Sequence, residues 1–408
     1  MLSKFFPGKK ILYLNDRHEE ADTGGEDRRM LYDQRILPLL SEGDFAIFAE
    51  RLDPFLRDYY RSLGLGTIED GNIFYEPYCF DYPSLTQAVL HDKPLLKEIK
   101  KKNISLLVPY IESHNTEALS QETDVPLGRR ADITELMNNK SNYRQIAIEL
   151  NVPVVSGLTT NKKNVAADFY KIKSRGFNKI VIKRVRSVAG FGVFVVDSPA
   201  ALNDCLKNNF TAEESFVLEG LIEDITFRPN TQYFISHDEI IFLVSTNQIV
   251  EQDNMSYGGN IFTPKPAWSS GVQESIESFS FKLCRYLQKQ KCYGFVGFDW
   301  IVTRENEVYT TEANVRFNAS TFPALLARQF FGERPDVCWL FKTFSVHPIL
   351  FEKFFDFFGD FTKRRGATGV LPIGIDLLGT LGEGQFMIMG YNLAEVKHFW
   401  KKFDKFYS

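Results

Sequence analysis

The stretch from Gly297 to Thr321 constrains this chain more than any other. Gly297 to Val302 reads as a buried strand, Thr303 to Asn306 as a turn, and Glu307 to Glu312 as the returning strand. Such a hairpin brings Asp299 beside Glu312. Side chains alternate along a strand, so Glu312, Asn314, Arg316 and Asn318 share one face. That is a poor way to build a core, because every buried polar group needs a partner. It is a good way to build a binding surface. Asp299, Glu312 and Asn314 make an all-oxygen set of the type that holds Mg²⁺ or Mn²⁺ between nucleotide phosphates. Arg316, two residues on, stands where it could hold a phosphoryl group in transfer. The plain alternative is a set of acidic residues solvated at strand ends.

Two further segments carry chemistry. Val181-Ile-Lys183 ends a strand and leads into a Ser/Gly loop with Ser187, Gly190 and Gly192, followed by another strand. Glycines let backbone N–H groups approach an anion, and the lysine adds a point charge for phosphate. The loop lies between strands, so it is neither a Walker A loop nor a dinucleotide fingerprint. An ordinary glycine-containing hairpin reads the same way. In Phe216 to Asp224, the Glu219 acceptor is followed by free backbone at a strand end, which suits an adenine edge. Glu223 or Asp224 then suits ribose hydroxyls. A solvated acidic turn is the alternative here.

The rest of the chain gives the organisation. Short apolar strands at 10–15, 45–49 and 104–108 alternate with helical stretches, one of them expected at 28–40, which implies a parallel α/β unit. A helix pair is expected over 132–150. From residue 177 strands dominate, at 179–183, 192–196, 215–219, 232–235, 239–244, 295–302 and 307–312, with helices near 199–208 and 271–290. Phe351, Phe354, Phe355 and Phe358, and then Val396, Phe399, Trp400 and Phe403, recur at helical spacing. Such stripes bury against a core or a partner, so a homodimer is an expectation.

Composition removes several classes. Lys plus Arg is 48 against 52 for Asp plus Glu, with no basic block, so nucleic acid is not an expected partner. Five cysteines form no CxxC pair and six histidines form no HExxH, which argues against a disulfide scaffold or such a zinc site. No apolar run approaches the ~18–20 residues that cross a bilayer. A cytoplasmic protein without a membrane partner is expected.

At the residues quoted above, the sequence resembles the ATP-grasp superfamily. The resemblance is to the carboxylate–amine (peptide) ligases that carry a preceding α/β domain, the "pre-ATP-grasp" domain. It covers roughly residues 130–330, with all landmarks in order. The resemblance implies an α/β (α+β) architecture: a parallel α/β domain at 1–125, a small lobe at 126–215 and a large lobe at 216–330. Residues 331–408 would then complete the large lobe with aromatic helices. It implies ATP and Mg²⁺ as cofactors, with Lys140 and Lys183 as the nucleotide lysines and 187–192 as the phosphate loop. Glu219, Gly220, Leu221 and Ile222 would form the adenine hinge, and Asp299, Glu312 and Asn314 would hold the metal. Arg316, with Lys183 and Asn318, would form the catalytic group. Two departures stand out. Many members carry an Arg two residues before the first metal carboxylate, where this chain has Gly297. The ribose carboxylate stays open between Glu223 and Asp224. Residues 252–260 resemble the substrate-side insertion of the peptide ligases.

The implied reaction is ADP-forming ligation of a small-molecule carboxylate to an amine, an amino acid or peptide, through an acyl phosphate. It needs no protein nucleophile, and none is evident. The competing readings are a silent ATP-binding protein that acts through a partner, and a ligase that uses a non-amine acceptor.

Overall fold

The computed structural model describes residues 2–20, 32–77, 81–187, 190, 192–211, 214–250, 257–332 and 336–404. Residues Val188, Ala189, Phe191 and 251–256, which the sequence reading drew on, lie outside them.

The N-terminal region is a parallel sheet in the order β3-β2-β1-β4, made of β1 (Ile11–Leu14), β2 (Phe45–Phe48), β3 (Ile73–Tyr75) and β4 (Leu106–Pro109). Apart from a half-exposed residue at the edge of β3 and of β4, these strands are buried, as expected of strands in a parallel sheet. Helices start where the sequence offers caps. Asp53, Ser84 and Asp92 each accept a hydrogen bond from the backbone N–H three residues on, at Leu56, Gln87 and Leu95. The helix expected at 28–40 is, in its described part, a 3₁₀ segment at Asp33–Leu39 with Pro38 inside it. Proline lacks the N–H an α-helix would use there.

A second, antiparallel sheet runs β5-β8-β6-β7, from β5 (Gly157–Asn161), β6 (Ile180–Arg184), β7 (Val193–Val196) and β8 (Ser215–Gly220). Residues on both sides of the boundary expected between 215 and 216 lie on one strand, β8, which pairs with β5 and β6. The helix pair expected over 132–150 is present as Ala131–Asn138 and Lys140–Glu149.

The third sheet is the largest. It contains β9 (Ile225–Phe227), β10 (Pro229–Ile235), β11 (Ile240–Val250), β12 (Tyr257–Phe262), β13 (Gly294–Thr303), β14 (Val308–Asn314), β15 (Cys338–Ser345), β16 (Gly369–Gly374) and β17 (Glu383–Gly390). Its order is β14-β13-β10-β11-β12-β15-β17-β16, with β9 on β13. The last three strands were not visible as strands in the sequence, yet they continue the sheet directly from β12.

The aromatic stripes fill the interior. Phe351, Phe354, Phe358, Phe361, Phe386 and Phe403 are all buried in one cluster. Phe55 and Tyr59, from the N-terminal region, pack edge-on against Phe351 and Phe355. Tyr59 and Tyr60 donate to the carbonyls of Thr362 and Pro372 at 2.9 and 2.8 Å. The stripes thus bind the first and last parts of the chain together. No helix among the described residues is long and apolar enough to cross a membrane.

Candidate active site

The three sheets meet at a cleft of about 380 Å³. Its floor is the hairpin β13–β14, where Asp299 pairs directly with Glu312 and Gly297 with Asn314 across the strands. Asp299 is 7% exposed. It accepts from Asn230 Nδ2 at 2.5 Å, Gln248 Nε2 at 2.8 Å and Asn314 Nδ2 at 3.0 Å. Burial and the facing Glu312 carboxylate push the Asp299 carboxyl well above its usual range. Burial also opposes charge on Glu312, but Lys140, Asp299 and Lys183 together carry it down to about 2.

This set fits a hard divalent cation. Among the described residues no group of three His, Cys, Asp or Glu side chains could share an ion. A third protein ligand beside Asp299 and Glu312 would therefore be the Asn314 carboxamide. Its oxygen now accepts from Arg316 Nη2 at 2.8 Å. Two facing carboxylates with only amide donors on Asp299 are the environment a cation relieves.

The cations come from the other side of the cleft. Lys140, 8% exposed at the start of its helix, lies 3.1 Å from Glu312 Oε2 and donates to the Ser187 carbonyl at 2.7 Å. It thereby ties the small sheet's loop to the large sheet. Lys183 Nζ sits 2.6 Å from Glu219 Oε2, while Arg144 Nη1 holds the other oxygen at 2.8 Å. Both Glu219 oxygens are thus held by cations, and the residue itself lines the cleft. Leu221 and Ile222 line the cleft, with Val155, Val181 and Val193 on one side and Ile225 and Ile301 on the other. That is a flat apolar slot. Gly220 is required for packing, since a Cβ there would meet the Phe177 ring at 2.2 Å.

Glu223 and Asp224 do not line the cleft. Glu223 pairs instead with Lys179 at 3.0 Å on the surface. Ser187 and Gly190 face the cleft, whereas Gly192 shapes the β6–β7 turn, with φ +70° and Arg184 packed where its side chain would be.

Arg316 is 12% exposed at its side chain and forms an ion pair with Glu20, a residue of the N-terminal region. Burial works against its charge, but Glu20, Tyr110, Glu312 and Asp299 more than restore it. Asn318 lines the cleft beside it. Its amide donates to the carbonyls of Arg316 at 3.0 Å and Asn314 at 3.5 Å, so it shapes the turn that carries them. It also explains Gly297. A Cβ at that position would meet the Asn318 amide at 2.8–3.0 Å, so an Arg there could not coexist with Asn318 in this geometry.

The sequence reading missed Glu20, Arg144, Asn230 and Gln248. Asn230 and Gln248 lie on β10 and β11, and only sheet pairing brings them to Asp299; Asn230 is its direct cross-strand neighbour. The alternation of Asn230 and Gln232 inside an apolar strand was the available signal. Residues 252–256 of the expected substrate-side insertion are outside the described residues, but Tyr257 and Asn260 beyond them line the cleft.

Comparisons with known proteins follow this geometry. The family described as an ATP-grasp domain matches residues 138–320, which include both lysines and the carboxylate hairpin. A D-alanine–D-alanine ligase of Thermosipho africanus is 23% identical over 177 residues, 41% of this chain and 46% of that protein. The match thus spans about half the length of that relative. Among solved structures, the N5-carboxyaminoimidazole ribonucleotide synthetase of Thermus thermophilus superposes with a TM-score of 0.61 at 15% identity, covering 98% of both chains. The L-amino acid ligase of Bacillus licheniformis gives 0.59 at 13% identity, again over 98% of both. At these identities the likeness is one of fold, and it extends over nearly the whole chain.

Proposed function

We propose that this chain, which carries an ATP-grasp domain at residues 138–320, is an ADP-forming ligase that joins a small carboxylic acid to an amine. The observation that carries the reading is the split of the cleft into an apolar slot and a charged end. Leu221, Ile222 and the valine and isoleucine walls suit the base. Lys140, Asp299, Glu312, Asn314 and Arg316 gather where the far end of a triphosphate would lie. Charge neutralisation concentrated there favours transfer of the γ-phosphoryl group.

In this reading Lys140 and Lys183 exchange their carboxylate partners for phosphate oxygens. Arg316, held by Glu20 and Asn314, faces the phosphoryl group as it passes to the substrate carboxylate. A divalent ion on Asp299, Glu312 and Asn314 would supply Lewis-acid charge stabilisation. Glu20 and Tyr110, from the N-terminal region, wall the reaction centre off from water, as an acyl phosphate requires. The amine then attacks the acyl carbon, and phosphate leaves. The four described cysteines are free, which suits a reducing compartment, and we assign the enzyme to the cytoplasm.

The test is ADP release from MgATP with a mixture of amino acids and, separately, with hydroxylamine as the acceptor. Stoichiometric ADP with hydroxamate formation is expected. AMP and pyrophosphate would overturn the mechanism. Nucleotide binding without turnover would favour a protein that acts through a partner.

A further inference from the structure

The basic side chains of the cleft are already engaged, with one exception. Lys140 and Lys183 pair with Glu312 and Glu219, and Arg316 pairs with Glu20. Arg35 donates to the Tyr32 carbonyl at 3.1 Å and to Asn15 Oδ1 at 3.3 Å, and Arg17 lies over the Tyr32 ring at 5.5 Å. Arg228 also lines the cleft, and among the described residues its guanidinium has no hydrogen bond, ion pair or ring contact. It is partly buried. Burial pulls its pKa down, and no neighbouring carboxylate restores it as Glu20 does for Arg316. The backbone beneath it is nevertheless pinned. Its N–H donates to Asn247 Oδ1 at 2.8 Å, and its carbonyl accepts from the Gln248 N–H at 2.8 Å. A guanidinium offers donors only, so one held this way is matched by an anion from outside the chain.

Strand register narrows which anion. Phe227, just before Arg228, pairs with Val302, and Asn230, just beyond it, pairs with Asp299. Arg228 therefore stands beside Trp300 and Ile301, between the Asp299 carboxylate and the wall of the apolar slot. Ile225 of the slot precedes it, and Gln248, its backbone partner, reaches Asp299 at 2.8 Å. A nucleotide with its base in the slot and the end of its triphosphate at Arg316 must cross this boundary. Its first anion past the slot is the α-phosphate, since the ribose brings no charge. The acid substrate has to meet the γ-phosphoryl group, which places it at the other end of the cleft.

We infer that Arg228 is a nucleotide-binding residue that grips the α-phosphate, and that it gives up no partner in doing so. The orientation of the nucleotide rests on the ligase reading above. Lys140 and Lys183 must release carboxylates before they meet phosphate, so part of their gain is lost again. Arg228 releases only water. It should contribute a full charge-assisted hydrogen bond, about tenfold or more in affinity, to every adenine nucleotide that carries a phosphate.

Calorimetric titration of the full chain with adenosine, AMP, ADP and a non-hydrolysable ATP analogue, each with Mg²⁺, tests this. The native protein should bind AMP about tenfold or more tightly than adenosine. Arg228→Gln should abolish that step, weaken AMP, ADP and the analogue by the same factor, and leave adenosine as it was. Arg228→Lys, which keeps the charge, should retain part of the step. Thermal unfolding without nucleotide checks the fold, because removing an unpaired, partly buried charge should leave the midpoint in place or raise it. A clear fall in the midpoint would mean that the guanidinium supports the structure, and would overturn the assignment. An equal loss for adenosine, an AMP affinity unchanged in Arg228→Gln, or equal native affinities for AMP and adenosine would overturn it as well. ADP release with hydroxylamine as acceptor is measured on the same native protein. Its absence would overturn the ligase reading, while an AMP step lost in Arg228→Gln would leave the Arg228 assignment standing.

Discussion

The two sides of the cleft solve the problem of buried charge in opposite ways. On the small-sheet side, Glu219 is neutralised within its own lobe by Arg144 and Lys183, at 2.8 and 2.6 Å. On the large-sheet side, Asp299 has only amide donors within its own sheet, from Asn230, Gln248 and Asn314. The positive charge that serves Glu312 there, Lys140, comes from outside that sheet. One wall is electrostatically complete, and the other is left for cations to complete. This teaches where catalysis and where stability should be sensitive. Substitutions on the large-sheet wall should affect turnover first, and substitutions on the small-sheet wall should affect folding first.

The largest expected effect breaks the incomplete wall. Glu312→Gln should lower ADP-forming turnover by at least ~10²-fold, the scale of removing one charge-stabilising group. Nucleotide affinity should largely survive, because the base slot is separate. Near-normal ADP production by the purified variant would refute the metal and phosphoryl assignment. Next, Arg144→Leu should destabilise the fold by about 3 kcal/mol, since it leaves a buried carboxylate with one cation instead of two. Urea unfolding measures this, and an unchanged midpoint would mean that the small-sheet wall is not the structural one. Gln248→Ala removes a single hydrogen bond to Asp299 and should cost about 1 kcal/mol in the same assay. A loss equal to that of Arg144→Leu would erase the contrast between the walls.

A further test asks whether the N-terminal region follows either pattern. Asp16 is 1% exposed and accepts from Thr86 N and Oγ1, both at 2.7 Å. Burial and the nearby Glu19 carboxylate push it up from 3.8 to about 7. The native state therefore keeps a proton that the unfolded chain has released, and stability should fall as pH rises across that window and level off above it. Asp16→Asn should flatten the fall, as read from melting temperatures between pH 4 and 8. An unaltered pH profile would assign the dependence to another buried carboxyl.

Much of the site was legible because its chemistry is local in sequence. The Asp299–Glu312 hairpin follows from a short turn between two strands, and the alternation of Glu312 and Asn314 follows from strand geometry. Lys183 and its glycine loop were visible for the same reason. The ion pairs of Glu219 were not legible, because an acceptor beside a strand end looks alike whether or not an arginine from a distant helix meets it. The hydrogen bonds of Asn318 to the Arg316 and Asn314 carbonyls were not legible, because β14 ends at Asn314 and the chain turns there.

The sequence by itself determined the polar strands, the parallel N-terminal unit and the aromatic stripes, since each depends on spacing within one segment. Only the tertiary structure decided what those segments face. Sheet pairing set Asn230 and Gln248 on Asp299, and the descent of the N-terminal region onto the large sheet joined Glu20 to Arg316. The folding of β15 to β17 onto β12 turned stripes that could have met a partner into the protein's own core. The physical reason is the same in each case. Periodicity fixes the direction of a side chain relative to its own backbone, while its partner, and so its charge state and role, depends on which distant segment comes to lie across from it.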